Sequence, residues 1–152
     1  MPGSLRSAAM IVWESFLNDP YLWGGSGIDG VDCSGLALEG LKAVGLAPRE
    51  NDYTAGGLLN DLFKTSPRIT NPNDITQIGT LVFWANPDGS IRHVEIVWAI
   101  FRDRVLTIGA SGGGSKTLDR AEAKRTDARV KIRRITPGWL CAVDPFAPLN
   151  PF

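Results

Sequence analysis

Two cysteines and a single histidine are the residues of this 152-residue chain best suited to nucleophilic chemistry. Cys33 stands between the polar residues Asp32 and Ser34, at the head of a stretch that reads as a helix. A helix start presents unpaired N–H groups and the positive end of the dipole, both of which favour an anion. A thiol placed there tends toward the thiolate, which is the nucleophilic form. The loop before it, Gly24-Gly25-Ser26-Gly27-Ile28-Asp29-Gly30, is built largely of small residues that let a substrate backbone come close. A buried inert thiol is the commoner fate of a cysteine, and Cys141, inside Trp139-Leu140-Cys141-Ala142-Val143, fits that fate well. His93 is the only histidine available as a general base and opens the alternating run Val94-Glu95-Ile96-Val97-Trp98. Val94, Ile96 and Trp98 share one face of such a strand, and His93 and Glu95 share the other. If the apolar face packs on helices, His93 points into a groove; if the strand is buried on both sides, it is a satisfied polar group. The alternation leaves both open.

The elements that must carry these residues follow from hydrophobic period and punctuation. Leu5, Ala8, Ala9, Val12, Trp13 and Phe16 recur at helical spacing over 4–17, with Ser4 as the N-cap and Asn18-Asp19-Pro20 as the stop. A second helix spans roughly 34–44 and ends at Gly45; a third spans 53–63. After a Pro/Asn-rich linker at 67–74 the period shifts to that of strands: Thr80–Trp84, His93–Ala99, Val105–Ile108, Arg129–Ile135 and Trp139–Val143. Gly109–Ser115 reads as a loop and Asp119–Lys124 as a short helix. Helices first and strands second predict an α+β fold with an antiparallel sheet. One domain over 1–144 and an extended Pro-rich tail over 145–152 complete the expected organisation.

Composition narrows the function classes. Sixteen basic and sixteen acidic residues cancel, against the basic excess of a dedicated nucleic-acid binder. No apolar run approaches the roughly 20 residues of a bilayer span, and Glu14 interrupts the apolar stretch Ala8–Trp13 too early for a secretory signal. Two cysteines and one histidine argue against zinc sites built from several such ligands, so neither metal nor cofactor is expected. Two glycine-rich motifs are decoys. Gly25–Gly30 satisfies G-x-G-x-x-G, but a helix and Asp-Pro precede it where a dinucleotide fold needs a strand. Gly109–Thr117 approaches a phosphate loop but has Ser115 where glycine must precede Lys116. Residues 116–134 hold eight bases against three acids. They read as a solvated strand edge, with Val130 and Ile132 inward, or as a face for an anionic partner. Trp13, Trp84, Trp98 and Trp139 read as core, and Trp23, beside the glycine loop, as a cleft wall.

A helix-start cysteine followed 60 residues on by a strand-start histidine has the layout of papain-like cysteine catalysis. Pro20-Tyr21-Leu22-Trp23-Gly24-Gly25 and Asp32-Cys33-Ser34-Gly35-Leu36 resemble the nucleophile region of NlpC-type peptidases. Ile78–Trp84, Arg92–Val97 and Gly109-Ala110-Ser111 extend the likeness over roughly residues 10–115. These are bacterial and phage-borne papain-like enzymes that cut peptidoglycan stem peptides. The resemblance implies Cys33 as nucleophile, His93 as base, and Tyr21 as an oxyanion-hole donor beside the Cys33 N–H. It implies Asp32 and Ser34 as holders of a substrate amino group, and no metal.

The chain departs from the family pattern where a third polar residue, often histidine, orients the base: that position is Gly109. Replacements are Glu95, Thr107, Ser111, a backbone carbonyl or water, with Ser111 and Glu95 ranked equally. Glu95 is two residues from His93, and such neighbours stand about 6–7 Å apart at their roots. The expected activity is cleavage between the D-glutamyl γ-carboxyl and the following diamino acid. The lack of an export signal suggests a phage tail protein, in the virion or the host cytoplasm, with tail proteins as partners. The rival readings are a non-catalytic tail module, to which Gly109 speaks, and a cytoplasmic muropeptide-recycling peptidase, to which Asp32 and Ser34 speak.

Overall fold

A computed structural model describes residues 2–27, 30–113 and 116–147. Ile28 and Asp29 of the glycine loop, Gly114 and Ser115 of the phosphate-loop look-alike, and tail residues 148–152 lie outside the described residues. Helix α1 (Pro2–Ser15) is followed by a short hairpin, β1 (Ser26–Gly27) and β2 (Gly30–Val31), and then α2 (Cys33–Ala43). A single helical turn, α3 (Ala55–Gly57), runs on as a wider π-turn over Leu58–Leu62. Five strands form one antiparallel sheet: β3 (Leu81–Ala85), β4 (Ile91–Phe101), β5 (Arg104–Ser111), β6 (Arg129–Arg134) and β7 (Cys141–Val143). Helix α4 (Arg120–Arg125) stands between β5 and β6. The strand order is β6-β5-β4-β3-β7, which puts β4 at the centre. The α+β architecture is the one expected.

The sheet has two different faces. Leu81, Phe83, Val94, Ile96, Ile108, Ala110 and Val130 belong to the main core, with Trp13 of α1 and Leu36, Leu38 and Leu41 of α2. Val82, Trp84, Val97 and Ala142 form a smaller cluster. His93 pairs with Trp84 and Glu95 with Val82, so both follow the alternation away from the main core. The sequence alternation for β4 therefore holds, and Val97/Ala99 carry a bulge. Beyond it, the Trp98 indole N–H donates to Glu14 Oε1 at 2.7 Å.

Several boundaries differ from expectation for identifiable reasons. Helix α1 begins at Pro2, so Ser4 lies inside it rather than at its cap. Pro is well suited to a first helical turn. The third helix is shortened: Thr54 caps it by accepting from the Gly57 N–H, and two successive glycines weaken its only α-turn. Strand β5 continues through Gly109, Ala110 and Ser111, which the sequence reading placed in a loop. Pairing with Lys131, Val130 and Arg129 of β6 overrides the poor strand propensity of glycine there. The last strand starts at Cys141 rather than Trp139, after Gly138 with φ +89°. Beyond β7 the chain turns back. Phe146 is fully buried, edge-on to Trp13 with ring centroids 6.4 Å apart. Arg6 joins the N-terminal helix to this segment through two bonds of 3.1 Å to Asp144, and to the approach to β3 through one of 2.8 Å to the Ile78 carbonyl.

Candidate active site

The Asp-Cys-Ser-Gly run folds as a helix start whose parts have separate tasks. Asp32 is the N-cap of α2 in extended conformation: its Oδ1 accepts from the Gly35 N–H at 2.7 Å. Its Oδ2 accepts from the Gly24 N–H at 3.0 Å, tying the glycine loop to the helix. The Ser34 hydroxyl donates to Oδ1 at 3.3 Å. Gly35 is required because a Cβ there would strike the Gly25 carbonyl oxygen, which already accepts from the Asp32 N–H at 2.9 Å. The loop thus lies directly on the first turn, and Cys33 occupies the first helical position.

Cys33, His93 and Tyr21 line one cleft of about 700 Å³, together with Trp23, Asp32, Ser34, Asn86, Ile91, Arg92 and Arg133. Cys33 is half-buried and in no disulfide, and Cys141 is a buried free thiol, as the sequence reading has it. The His93 side chain is 17 % exposed. Its Nε2–H donates to Glu95 Oε2 at 2.6 Å, which leaves Nδ1 for the Cys33 side. The Trp84 ring stands 5.4 Å from the imidazole, centroid to centroid, tilted by 51°. Burial depresses the proton affinity of His93, but hydrogen bonding to Cys33 and Glu95, and their negative charge, outweigh it and raise the pKa to about 9. That balance favours the imidazolium form of His93.

Glu95 is completely buried and has three partners. Besides His93, it accepts from Thr107 Oγ1 at 2.6 Å on Oε1 and from an Arg133 terminal nitrogen at 2.6 Å on Oε2. Burial favours its neutral form; the His93 bond and charge, then Arg133 and Thr107, reverse that and bring its pKa down to about 2. Of the two equally ranked candidates for partner of the base, Glu95 makes the contact. Ser111 is buried, but its hydroxyl has no hydrogen-bond partner among the described residues. The root spacing of i and i+2 side chains is bridged because the carboxylate and the ring lean toward each other.

Tyr21 is buried at the cleft beside Gly113, where a Cβ would collide with the phenol ring. Burial, followed by the negative charges of Cys33 and Asp32, raises its pKa well above the ordinary range, so the hydroxyl stays protonated. Trp23 is 54 % exposed on the cleft wall, as expected from its place beside the glycine loop. Arg133 is the cleft residue that sequence reasoning missed. It was read as one of several cations on a strand edge, and only the β5–β6 register, Thr107 opposite Arg133, brings it to Glu95. Elsewhere on the strand Arg134 is exposed, and Arg129 is paired to Asp127 at 3.0 Å.

A sequence model of the NlpC/P60 family matches residues 18–139, which include every residue of this cleft. The chain belongs to the NlpC/P60 family. No curated protein sequence matches it. Among solved structures, this NlpC/P60 domain is similar to that of the peptidoglycan hydrolase SagA, with 22 % identity, a TM-score of 0.60, and coverage of 91 % of this chain and 97 % of the other. The P60 domain of an antigen from M. avium subspecies paratuberculosis gives 22 % identity and a TM-score of 0.64, with 95 % and 97 % covered. The peptidoglycan hydrolase RipB from Mycobacterium tuberculosis gives 18 % and 0.62, with 93 % of this chain and 65 % of RipB covered. At these identities the likeness establishes the NlpC/P60 fold.

Proposed function

We propose that this NlpC/P60 domain is a cysteine peptidase of peptidoglycan stem peptides, cleaving between the D-glutamyl γ-carboxyl and the following diamino acid. The observation that carries the reading is the Cys33–His93–Glu95 series at one open cleft, with the far imidazole nitrogen bonded to a buried carboxylate. Such a third group fixes the ring and its tautomer and stabilises the imidazolium. Family membership and the peptidoglycan hydrolases among the structural neighbours supply the substrate class.

The Cys33 thiolate attacks the γ-carbonyl carbon, forming the C–S bond and an oxyanion. The Cys33 N–H and the Tyr21 hydroxyl donate to that oxygen. As the tetrahedral intermediate collapses, the C–N bond breaks and His93 gives its proton to the departing amine. Water then attacks the thioester carbonyl while His93 takes its proton. Breaking of the C–S bond releases the acid and restores the thiolate–imidazolium pair. Asp32 and Ser34 line the cleft and face the substrate amino group in this reading. Both Asp32 oxygens also hold backbone, so their primary work is shaping the helix start.

The non-catalytic reading rests on Gly109, and Glu95 supplies the polar partner of His93 that this position lacks. Cleavage of purified stem peptides tests the proposal: turnover is expected from the natural chain and none from Cys33→Ala, and equal turnover overturns it. Preference for free peptides over intact sacculi would favour muropeptide recycling. The phage-tail setting has no structural counterpart among the described residues. It is tested by mass spectrometry of purified particles, which should contain the chain.

A further inference from the structure

The carboxylate beside His93 comes from the histidine's own strand, and such a group needs room and restraint. The room is at Gly109. Ile96 pairs with Ile108 and Val97 with Thr107, so the antiparallel register carries Glu95 opposite Gly109. A Cβ on Gly109 would overlap Glu95 Cγ and stand 2.8 Å from its Cδ. Gly109 has an ordinary negative φ, so backbone conformation does not demand glycine here; the occupied space does. The restraint comes from the neighbouring β5–β6 pair, Thr107 opposite Arg133. Thr107, two residues back on β5, holds Oε1, and Arg133 on the edge strand β6 holds Oε2, each at 2.6 Å. Oε2 is thus shared between Arg133 and His93. Arg133 is also part of the cleft wall, so the cation that restrains Glu95 is reached from the substrate side.

We infer that Gly109 and Thr107 of β5 and Arg133 of β6 form a seat for Glu95 and are positioning residues for His93. Gly109 leaves the volume, Thr107 fixes Oε1, and Arg133 keeps the shared Oε2 ionised and aimed at Nε2. A carboxylate bonded only to an imidazole could swing with it; one held at both oxygens cannot. The activity arm of this inference rests on the peptidase reading, whereas the seat itself is readable without turnover.

Because the chain has one histidine, its imidazole signals in a pH titration by NMR belong to His93 without assignment work. Gly109→Ala displaces Glu95 from the ring, so the His93 midpoint falls toward that of Glu95→Gln, and kcat falls on the order of tenfold or more with KM little changed. Arg133→Gln leaves the glycine in place and tests the restraint independently should the alanine variant not fold. Glu95 then protonates at higher pH, and the acid inflection it imprints on the His93 signal moves up. Arg133→Lys, which keeps the charge but moves the donor to a shorter, differently shaped head group, gives a smaller movement of the same sign. Arg129→Gln, on the same strand but paired with Asp127, leaves both readouts unchanged. A His93 titration indistinguishable from the natural chain in Gly109→Ala and in Arg133→Gln overturns the inference. If the natural chain does not cut stem peptides, the peptidase reading fails, and the titrations still decide the seat.

Discussion

At the scale of single residues, burial and charge oppose each other at the His93–Glu95 pair, and charge prevails. Glu95 has no solvent exposure, which alone would favour its neutral form, yet three donors surround it. Removing the charge while leaving the partners costs more than the pair is worth, because Arg133 and imidazolium are then left facing an amide. Glu95→Gln is expected to lower kcat by about 10²–10⁴-fold, the range of a mispositioned general base, read in the stem-peptide assay. The pair also writes a pH signature on stability. His93 is raised from 6.5 to about 9, so its contribution is complete below pH 6.5 and is lost as pH rises through 9. Glu95 is lowered from 4.5 to about 2, so its contribution is complete above pH 4.5 and is lost as pH falls through 2. Urea midpoints across pH should therefore show the advantage of the natural chain over His93→Gln shrinking between pH 6.5 and 9. A constant difference over that window would contradict it.

At the scale of elements, the helix start and the central strand do most of the positioning. Asp32 is a cap before it is anything else, and Asp32→Ala should cost about 1 kcal/mol of stability, up to 2. It should also slow alkylation of Cys33, since Gly24 loses its anchor; urea unfolding and iodoacetamide kinetics measure the two effects. Much of this was legible in the residues. Polar neighbours and the glycine loop marked Cys33, and the Val94-Ile96 alternation put His93 and Glu95 on one face. What was not legible depended on register. Nothing within Arg129–Arg134 distinguishes Arg133 from Arg129, because both alternate outward; the β5–β6 register brings Arg133 to a buried carboxylate, whereas Arg129 meets Asp127 just before its own strand. For the same reason Gly109 read as a missing side chain, when it is the space that another strand's side chain fills. Ser111 and Glu95 could not be ranked by spacing alone, since lean of the side chains, not root distance, decides the contact.

At the scale of the molecule, the two ends of the chain brace the layer that carries the cleft. Arg6 lies 4.8 Å from the Phe146 ring centroid and pairs with Asp144, and Phe146 closes on Trp13 beneath α2. The Trp13 indole N–H in turn donates to the Leu36 and Ala37 carbonyls of α2 at 3.1 and 3.2 Å. Phe146→Ala should therefore destabilise the domain by about 3–5 kcal/mol, seen as a lower urea midpoint. It should leave KM unchanged under conditions where the domain is folded, because none of these residues lines the cleft. The whole arrangement has meaning as an enzyme only if the sulfur at the tip of α2 takes up the acyl group. The direct measurement is rapid-quench mass spectrometry of the intact protein during stem-peptide turnover, followed by peptide mapping. The account predicts a transient mass increment equal to the D-glutamyl-containing fragment, located on Cys33 and absent from Cys33→Ala. Turnover without that increment, or an increment on Cys141, would contradict it.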